Sequence, residues 1–403
     1  MGTSQSRSVN EMASVANEVE SSSFSSDDIR LGQLSGHCRP LLMRDVVPES
    51  ALYYINDYWL QFEKPTQCAL YLIGVLFLIL FVLGFLGNFT VLWLYFRNEV
   101  LRTPSNLLVV NLCLADLGMQ GKNFYIFKLA FSENFVISQK MCQAYGISGG
   151  ITGAGAILTV TAMAVDRYNV ITRPLHPRRL TKTTSVLLVL AIWLYSGLLT
   201  GVQFLFTDTV FKPEGYFLSC AVDYFSTDNF VRYYIVAYFV LGYCIPLSTI
   251  IFCYYGIIKA VRHSEKGLRA FAEKSQSTTS LSSNDSKKAK EDKAKRREDV
   301  QITKTAAGLI SVWLMAWTPH AVIALMGISG HREYISITAV VVETVFCKIA
   351  SCFDPFIYGL SHPRFRECLL EALGMNKAKK QASDEDTYTV QTVDSSNTQN
   401  NQN

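Results

Sequence analysis

The chain has 403 residues, of which 49% are hydrophobic and only 17% are charged, and its formal net charge is +4. The charged residues are concentrated in short connecting segments, a distribution that argues against a soluble protein of two or three domains. The small net charge gives no sign of a nucleic-acid partner, and we expect none. Composition therefore favours an integral membrane protein.

Seven apolar runs follow one another along the chain, and each is long enough, or nearly so, for the ~20 residues of a membrane-spanning helix. The runs are 68–96, 105–121, 141–165, 183–207, 233–258, 305–330 and 334–363. We predict an all-α membrane protein, a bundle of seven transmembrane helices that spans residues 67–361. The predicted helices are numbered helix 1 to helix 7 in chain order.

The basic residues between the runs predict how the bundle is oriented. Arg and Lys cluster in 97–102, 172–182 and the long segment 262–304, whereas the alternate connections are nearly balanced in charge. Because basic loops remain in the cytoplasm, we predict an extracellular N-terminus, a cytoplasmic C-terminus and a multi-pass protein of the plasma membrane.

The segments outside the helices have distinct compositions. Residues 1–66 are Ser-rich and polar, which predicts an extracellular tail without regular structure; its MGTSQS start fits an N-myristoylation pattern, but the topology favours a chance match. The loop 262–304 reads as an extension of helix 5, a flexible linker and a charged helix that leads into helix 6. Residues 362–376 predict a short amphipathic helix 8 on the membrane lipid surface, and 377–403 a cytoplasmic tail.

Most of the ten cysteines lie inside apolar runs and are interpreted as small buried hydrophobic residues. Cys142, at the outer end of helix 3, and Cys220, in the second outer loop, are on the side where oxidation is permitted and are the natural disulfide pair. Cys368 lies in the interfacial segment after helix 7, where palmitoylation and a buried thiol are both open interpretations.

Several short motifs occur in a fixed order on the predicted helices. They are Gly87-Asn88, Asn111 to Asp116, Asp166-Arg167-Tyr168, Trp193, Pro246, Trp317-Thr318-Pro319 and Asp354-Pro355-Phe356-Ile357-Tyr358. A single Pro or Trp usually marks a kink or core packing, but this ordered set resembles the rhodopsin-like G-protein-coupled receptors over roughly residues 67–375.

Lys348 lies seven residues before Pro355, at the position where the opsins of this family carry the lysine that binds retinal as a Schiff base. The resemblance implies covalent binding of 11-cis-retinal, and a buried amine suits condensation with an aldehyde because burial favours its neutral form. The alternative is a structural lysine paired with an acid. Glu343 and Asp354 are roughly 140° and 240° away around the helix, so neither is expected on its face.

Two further charges bear on that Schiff base. Tyr145 stands where vertebrate visual opsins have a glutamate, whereas Glu214, six residues before Cys220, resembles the loop counterion of invertebrate opsins; a solvated carboxylate is the alternative. Lys122 resembles the helix 2 lysine of short-wavelength arthropod opsins. A second ammonium disfavours a protonated Schiff base, which predicts ultraviolet absorption, unless Lys122 extends to the lipid headgroups.

Two positions depart from the family pattern. His320 follows Trp317 where opsins usually have Tyr, which puts a titratable ring near the expected chromophore pocket. Asp354 replaces the more usual Asn, so we expect it to share a proton or a cation with Asp116 in a polar site of the bundle core.

The resemblance also implies the route of signal output. We expect Arg167 to pair with Asp166 or with the acidic pair 298–299, and breakage of such a pair to open a cleft for a G protein. Tyr254 and Tyr358 resemble tyrosines that stabilise the open state, and HSEKGLR, residues 263–269, resembles arthropod visual opsins that couple to Gq. Tail hydroxyls are candidate receptor-kinase sites for arrestin binding: Ser383, Thr387, Thr389, Thr392, Ser395 and Ser396.

The function predicted is that of a light-sensing receptor of the photoreceptor (rhabdomeric) membrane. A light-driven ion pump would lack the Asp166-Arg167-Tyr168 motif, the cysteine pair and the long basic loop. A retinal photoisomerase and a light-independent sensory opsin remain open, since both would carry the same fold.

Overall fold

The computed structural model describes residues 40–132, 136–173, 176–207, 210–275 and 283–375. The predictions for MGTSQS, for the linker around residue 280 and for the kinase sites of the tail lie outside these residues.

Long helices follow the apolar runs in order, which confirms the prediction of a seven-helix bundle. They are α1 (Gln67–Arg97), α2 (Pro104–Ala130), α3 (Gln139–Ile171), α4 (Lys182–Gly201), α5 (Asn229–Phe239, a π-helical turn Val240–Cys244, and Ile245–Ser275), α6 (Ser283–Ile328) and α7 (Ile337–Ser361). A shorter helix, α8, comprises Pro363–Ala372. The ends of α5 and α6 confirm that the predicted third loop begins and ends in helix.

Local sequence determines where the helices that carry the site begin. Thr103 caps α2 and Ser336 caps α7, each accepting a hydrogen bond through its side-chain oxygen from the backbone N–H three residues later. Such caps satisfy donors that a helix start otherwise leaves unpaired, and each contributes about 1 kcal/mol.

Five of the described helices are long and apolar enough to cross a membrane: α1, α3, α4, α5 and α6. The remaining two, α2 and α7, carry buried charged residues along their length, among them Asp116, Lys122, Glu343 and Lys348. Intramembrane charges are costly and mark functional positions, so these two helices are where a site is expected.

Buried polar side chains link the helices. Asn88 of α1 donates to the Ser351 carbonyl of α7 at 2.9 Å. On the other side of the bundle, Asn111 of α2 donates to Thr159 of α3 at 2.7 Å and accepts from the Trp193 indole of α4 at 2.7 Å. These bonds fix the relative heights of the helices because each group would otherwise be buried without a partner.

Residues 40–66 differ from the structureless tail that the sequence predicts. Residues 40–46 and 61–64 form a small unit of their own, in which Met43 N donates to the Phe62 carbonyl at 2.8 Å. Two short helices, Glu49–Leu52 and Asp57–Leu60, belong to the larger unit. The polar average over 66 residues concealed the aromatic stretch 53–59, whose Trp59 is fully buried.

Candidate functional site

A cavity of about 190 Å³ lies among α2, α3, α5, α6 and α7, near the end of the bundle that carries Cys142, here called the disulfide end. Aromatic residues and glycines are prominent in its lining, together with a few charged side chains. Gly153 of α3 leaves room for Trp317 of α6, since a Cβ at residue 153 would lie 2.8 Å from the Trp317 ring. The cavity is therefore shaped by close helix contacts and combines apolar walls with a few polar groups, as small-molecule sites usually do.

A two-stranded hairpin, β1 (Phe211–Glu214) and β2 (Ser219–Val222), closes the cavity at the disulfide end. The Cys142–Cys220 disulfide is present, as predicted, and ties β2 to the start of α3. Gln143 of α3 donates to the Phe211 carbonyl at 2.6 Å, which ties β1 to the same helix. The turn uses Gly215 with φ of 58°, a conformation that glycine adopts without strain.

Contacts from outside the cavity also hold the hairpin. Lys212 of β1 pairs with Asp223, which directly follows β2, at 2.7 Å. Asn56 donates to the same Asp223 side chain at 3.2 Å, so the segment before α1 contacts the hairpin. In the same segment before α1, the Tyr58 hydroxyl donates to the carbonyls of Arg332 and Ile335 in the connection between α6 and α7.

Glu214 lies in the cavity wall and is only 5% exposed, which excludes the solvated carboxylate that the sequence left open. Tyr224 donates its hydroxyl to Glu214 Oε2 at 2.9 Å, and Ser219 lies 3.4 Å from Oε1. Burial, followed by the nearby Glu343 carboxylate, raises the pKa of Glu214 to about 7. The hairpin thus holds an acid that is poised to exchange a proton near neutrality.

Two amines meet on the opposite side of the cavity. Lys122 is 7% exposed and its Nζ lies 5.0 Å from the centre of the Tyr145 ring, while Lys348, 5% exposed, has its Nζ 5.6 Å from the same ring. Lys122 therefore points into the cavity rather than toward lipid headgroups. Both amines thus approach the same ring, and the Tyr145 hydroxyl is buried without a hydrogen-bond partner among the residues that the structure describes.

The sequence-based prediction missed Glu343. It placed this residue on a different face of the helix from Lys348, whereas both side chains line the cavity, because the cavity is wide enough to receive both faces. Glu343 is 2% exposed and its Oε2 lies 3.0 Å from His320 Nδ1 and 3.6 Å from Cys347 Sγ. The prediction that Lys348 has no ion-pair partner on its own helix holds: its amine contacts Met119 Sδ at 3.4 Å.

Two of the ring residues predicted for the chromophore site, Trp317 and His320, contact each other, and Trp313, which the sequence analysis did not single out, packs on Trp317. Trp317 packs parallel to Trp313 with ring centres 5.8 Å apart and meets the His320 ring edge-on at 6.1 Å. All three line the cavity, and His320 borders it from α6 as predicted.

Asp116 of α2 and Asp354 of α7 are in side-chain contact in the bundle core, below the cavity. Both are buried, and within the described part of the chain each keeps one carboxyl oxygen without a hydrogen-bond partner. Pro355 lies inside α7 and packs so closely on α1 that a Cβ at Gly87 would fall 2.6 Å from its Cγ.

At the opposite end of the bundle, here called the Arg167 end, a second cavity of about 260 Å³ is lined by Arg167, Asp166 and Tyr358 among others. Arg167 pairs with Asp166 and donates to the Ser105 hydroxyl at 3.1 Å. Tyr168 packs its ring against Phe252 of α5, with centres 5.6 Å apart. Of the two partners predicted for Arg167, the described structure contains the pair with Asp166.

The acidic pair of α6 binds other arginines instead. Glu298 Oε1 lies 2.6 Å from Arg364 Nε at the start of α8, and Asp299 Oδ2 lies 3.3 Å from Arg179 Nη2 in the α3–α4 connection. Tyr254 of α5 is directed at the Thr303 carbonyl of α6 at 3.4 Å, and Tyr358 of α7 is buried.

Cys368 of α8 is buried in the same hydrophobic cluster as Phe365. Burial raises the pKa of its thiol, which makes the thiol less nucleophilic. The thiol of Cys368 is therefore buried in this structure, and its palmitoylation stays a prediction.

The chain matches the model of the family described as 7 transmembrane receptor (rhodopsin family) over residues 87–358. A lateral eye opsin from Limulus polyphemus is 34% identical over 328 residues, 81% of this chain and 85% of that protein. An ultraviolet-sensitive opsin from Apis mellifera is 32% identical over 355 residues, 88% of this chain and 94% of that protein. The crystal structure of squid rhodopsin covers 79% of this chain and 89% of its own, with a TM-score of 0.71 and 27% identity.

The fold, the closed cavity and the family match define a seven-transmembrane receptor of the rhodopsin family. Within that family the chain belongs to the opsins and resembles those of arthropods, including an ultraviolet-sensitive one. Members of this family are receptors rather than enzymes, and membership of the opsins makes this protein a light-sensing membrane receptor. The opsin relatives imply a retinal chromophore, and the receptor family implies a G-protein partner.

Proposed function

We propose that the protein is a photoreceptor that binds 11-cis-retinal as a Schiff base on Lys348 and activates a Gq-class G protein. The buried amine of Lys348 carries this proposal: it lines the cavity and forms no ion pair with any residue in the described part of the chain. Such an amine suits an aldehyde with a long apolar body, because the Trp317 and Tyr145 rings can pack against the body while Lys348 forms the bond. Bound there, retinal would supply the absorption of light and the change of shape.

Glu214 is the proposed counterion and Lys122 the residue that tunes the absorption to the ultraviolet. The support is geometric: Glu214 faces the cavity from the hairpin, and Lys122 shares the Tyr145 ring with Lys348. A positive charge that close opposes protonation of the Schiff base, and a carboxylate favours it.

For output, we propose that the Arg167 end is cytoplasmic and the disulfide end, with the N-terminus, is extracellular. Arg167 and the ion-paired acids of α6 line the cavity at the Arg167 end. A movement of α6 would widen this cavity, which makes it suited to receive a G protein. The Gq assignment rests on the HSEKGLR resemblance, and arrestin and a receptor kinase are proposed partners of the Ser- and Thr-rich tail.

The test is to express the chain, add 11-cis-retinal in the dark and record the absorption spectrum before and after light. Lys348→Ala should form no pigment, whereas Lys128→Ala, an exposed lysine on α2, should form it normally. A normal pigment from Lys348→Ala would refute the linkage.

Nucleotide exchange on a purified Gq heterotrimer, in light and in dark, separates signalling from the alternatives. Light-dependent exchange supports the receptor, isomerisation without exchange supports a retinal photoisomerase, and activity that is insensitive to light and retinal supports a light-independent sensor.

A further inference from the structure

We propose that His320 and Glu343 form an ion pair in the cavity wall that controls the proton affinity of the Schiff base on Lys348. In this arrangement Glu343 is a second carboxylate of the site beside Glu214. The positive charge of His320 offsets the negative charge of Glu343 and so weakens the interaction of Glu343 with the amine. His320 and Glu343 are positioning residues; the proposal rests on Lys348 being the retinal attachment point.

The geometry of the pair is the first support. His320 Nδ1 and Glu343 Oε2 are 3.0 Å apart, the distance of a charge-assisted hydrogen bond, and the Glu343 carboxylate is almost completely buried. Its other oxygen has only a distant hydroxyl, Thr344 Oγ1 at 3.4 Å. A buried carboxylate needs such a partner, because taking a charge out of water costs several kcal/mol.

The position of the pair is the second support. Glu343 and Glu214 are the two carboxylates that interact electrostatically with the Lys348 amine, and Glu214 and Lys348 interact with His320 in turn. Titratable groups line the same cavity from α2, α3, β1, the segment after β2, α5 and α7. They are Lys122, Tyr145, Glu214, Tyr224, Tyr234, Tyr238, Tyr243, Cys347 and Lys348.

The charges give the pair its effect. Two groups that can carry a positive charge, Lys122 and the Schiff base, face two carboxylates, Glu214 and Glu343. If both carboxylates were ionised and had no other partner, their negative charges would favour a protonated Schiff base. Because His320 neutralises Glu343, only Glu214 is left to balance Lys122 and the Schiff base. The pair thus works in the same direction as Lys122 and favours an unprotonated, ultraviolet-absorbing dark state.

Acid titration of the dark pigment tests this effect, with the pH at which the ultraviolet band converts to a visible band as the readout. His320→Phe keeps a ring in place but frees the Glu343 carboxylate, so the conversion should shift upward by about one pH unit, a tenfold change in proton affinity. Adding Glu343→Gln to that variant should return the conversion to the wild-type pH.

The matched control is Glu333→Gln in the His320→Phe background, because Glu333 is an exposed glutamate of the α6–α7 connection. This double variant should keep the full shift. An unchanged conversion in His320→Phe, or a shift that persists after Glu343→Gln, overturns the proposal.

The protein without retinal gives an independent readout. Each single variant, His320→Phe or Glu343→Gln, removes the ion pair and should lower the melting temperature, more so for His320→Phe because it leaves the buried Glu343 carboxylate without its partner. The double variant should lose less than the sum of the two. Additive losses would overturn the ion pair. If the wild type formed no pigment, the proposed retinal function would be overturned instead. The melting-temperature comparison of the single and double variants would still test the ion pair, because it is made without retinal.

Discussion

Arg364 Nε lies 2.6 Å from Glu298 Oε1 and joins the start of α8 to the part of α6 at the Arg167 end. Together with the bond between Arg179 and Asp299, it holds α6 against the bundle from two sides. Glu298 and Asp299, the alternative partners that the sequence offered for Arg167, are therefore engaged by other arginines, and Arg167 keeps its pair with Asp166. The closed state thus depends also on residues outside the Asp166-Arg167-Tyr168 motif.

Breaking this contact should raise activity in the dark. Since both side chains are partly exposed, the pair is worth at most about 1 kcal/mol, so Arg364→Gln should raise dark nucleotide exchange on the G protein by no more than about fivefold. Arg366→Gln, a change at an exposed neighbour on α8, is the control. Equal dark activity in the two variants would show that the contact does not restrain α6.

Lys122 provides a prediction about colour. Lys122→Glu replaces the ammonium beside Lys348 by a carboxylate, which favours a protonated Schiff base, so the dark absorption should move from the ultraviolet to the visible. Lys128→Glu, at an exposed position of the same helix, should leave the spectrum unchanged. The absence of a shift in Lys122→Glu would remove Lys122 from the tuning role.

Glu214 provides a prediction about pH and stability. Its pKa in the folded protein, about 7, exceeds its usual value of 4.5, so the folded state binds the extra proton and stability should fall as the pH rises from about 4.5 to 7. The full effect would be on the order of 3 kcal/mol. Glu214→Gln should flatten this part of the melting-temperature profile measured without retinal.

Tyr224→Phe is the companion variant, because it removes the hydroxyl that donates to Glu214 Oε2 at 2.9 Å. Loss of that bond to the ionised form should raise the pKa of Glu214 further and extend the fall in stability to higher pH. A profile identical to that of the wild type would mean that the hydrogen bond does not act on Glu214.

The contact between Asp116 and Asp354 should make the bundle sensitive to high pH. Two carboxyl groups in contact cannot both ionise without strong repulsion, so the pair must keep a proton or bind a cation. Asp354→Asn supplies a permanent donor and should raise the melting temperature more at pH 9 than at pH 6. A uniform change across that range would contradict the shared proton.

The helices were accessible from the sequence through the length of the apolar runs, Lys348 through its distance from Pro355, and the disulfide through the location of Cys142 and Cys220 on the outer side. For Lys122 the sequence left two directions open, and the structure places its amine at the Tyr145 ring. The position of Glu343 in the cavity wall was not accessible from the sequence. A helical projection with 3.6 residues per turn gives only the direction of each side chain around the helix axis, and it does not show how wide the neighbouring cavity is. The partners of Glu298 and Asp299 were also inaccessible, because Arg364 and Arg179 come from segments far away in the chain. The short helices before α1 were hidden by an average over a polar tail.

Asn56, which precedes α1, reaches Asp223, and Asp223 holds Lys212, two residues before Glu214. This chain of contacts makes the segment Val47–Leu60 a structural support for Glu214 in the cavity wall. Because Glu214 is the proposed counterion, we expect that shortening the protein to its membrane bundle would alter its colour and its acid sensitivity, although every residue that lines the cavity would still be present.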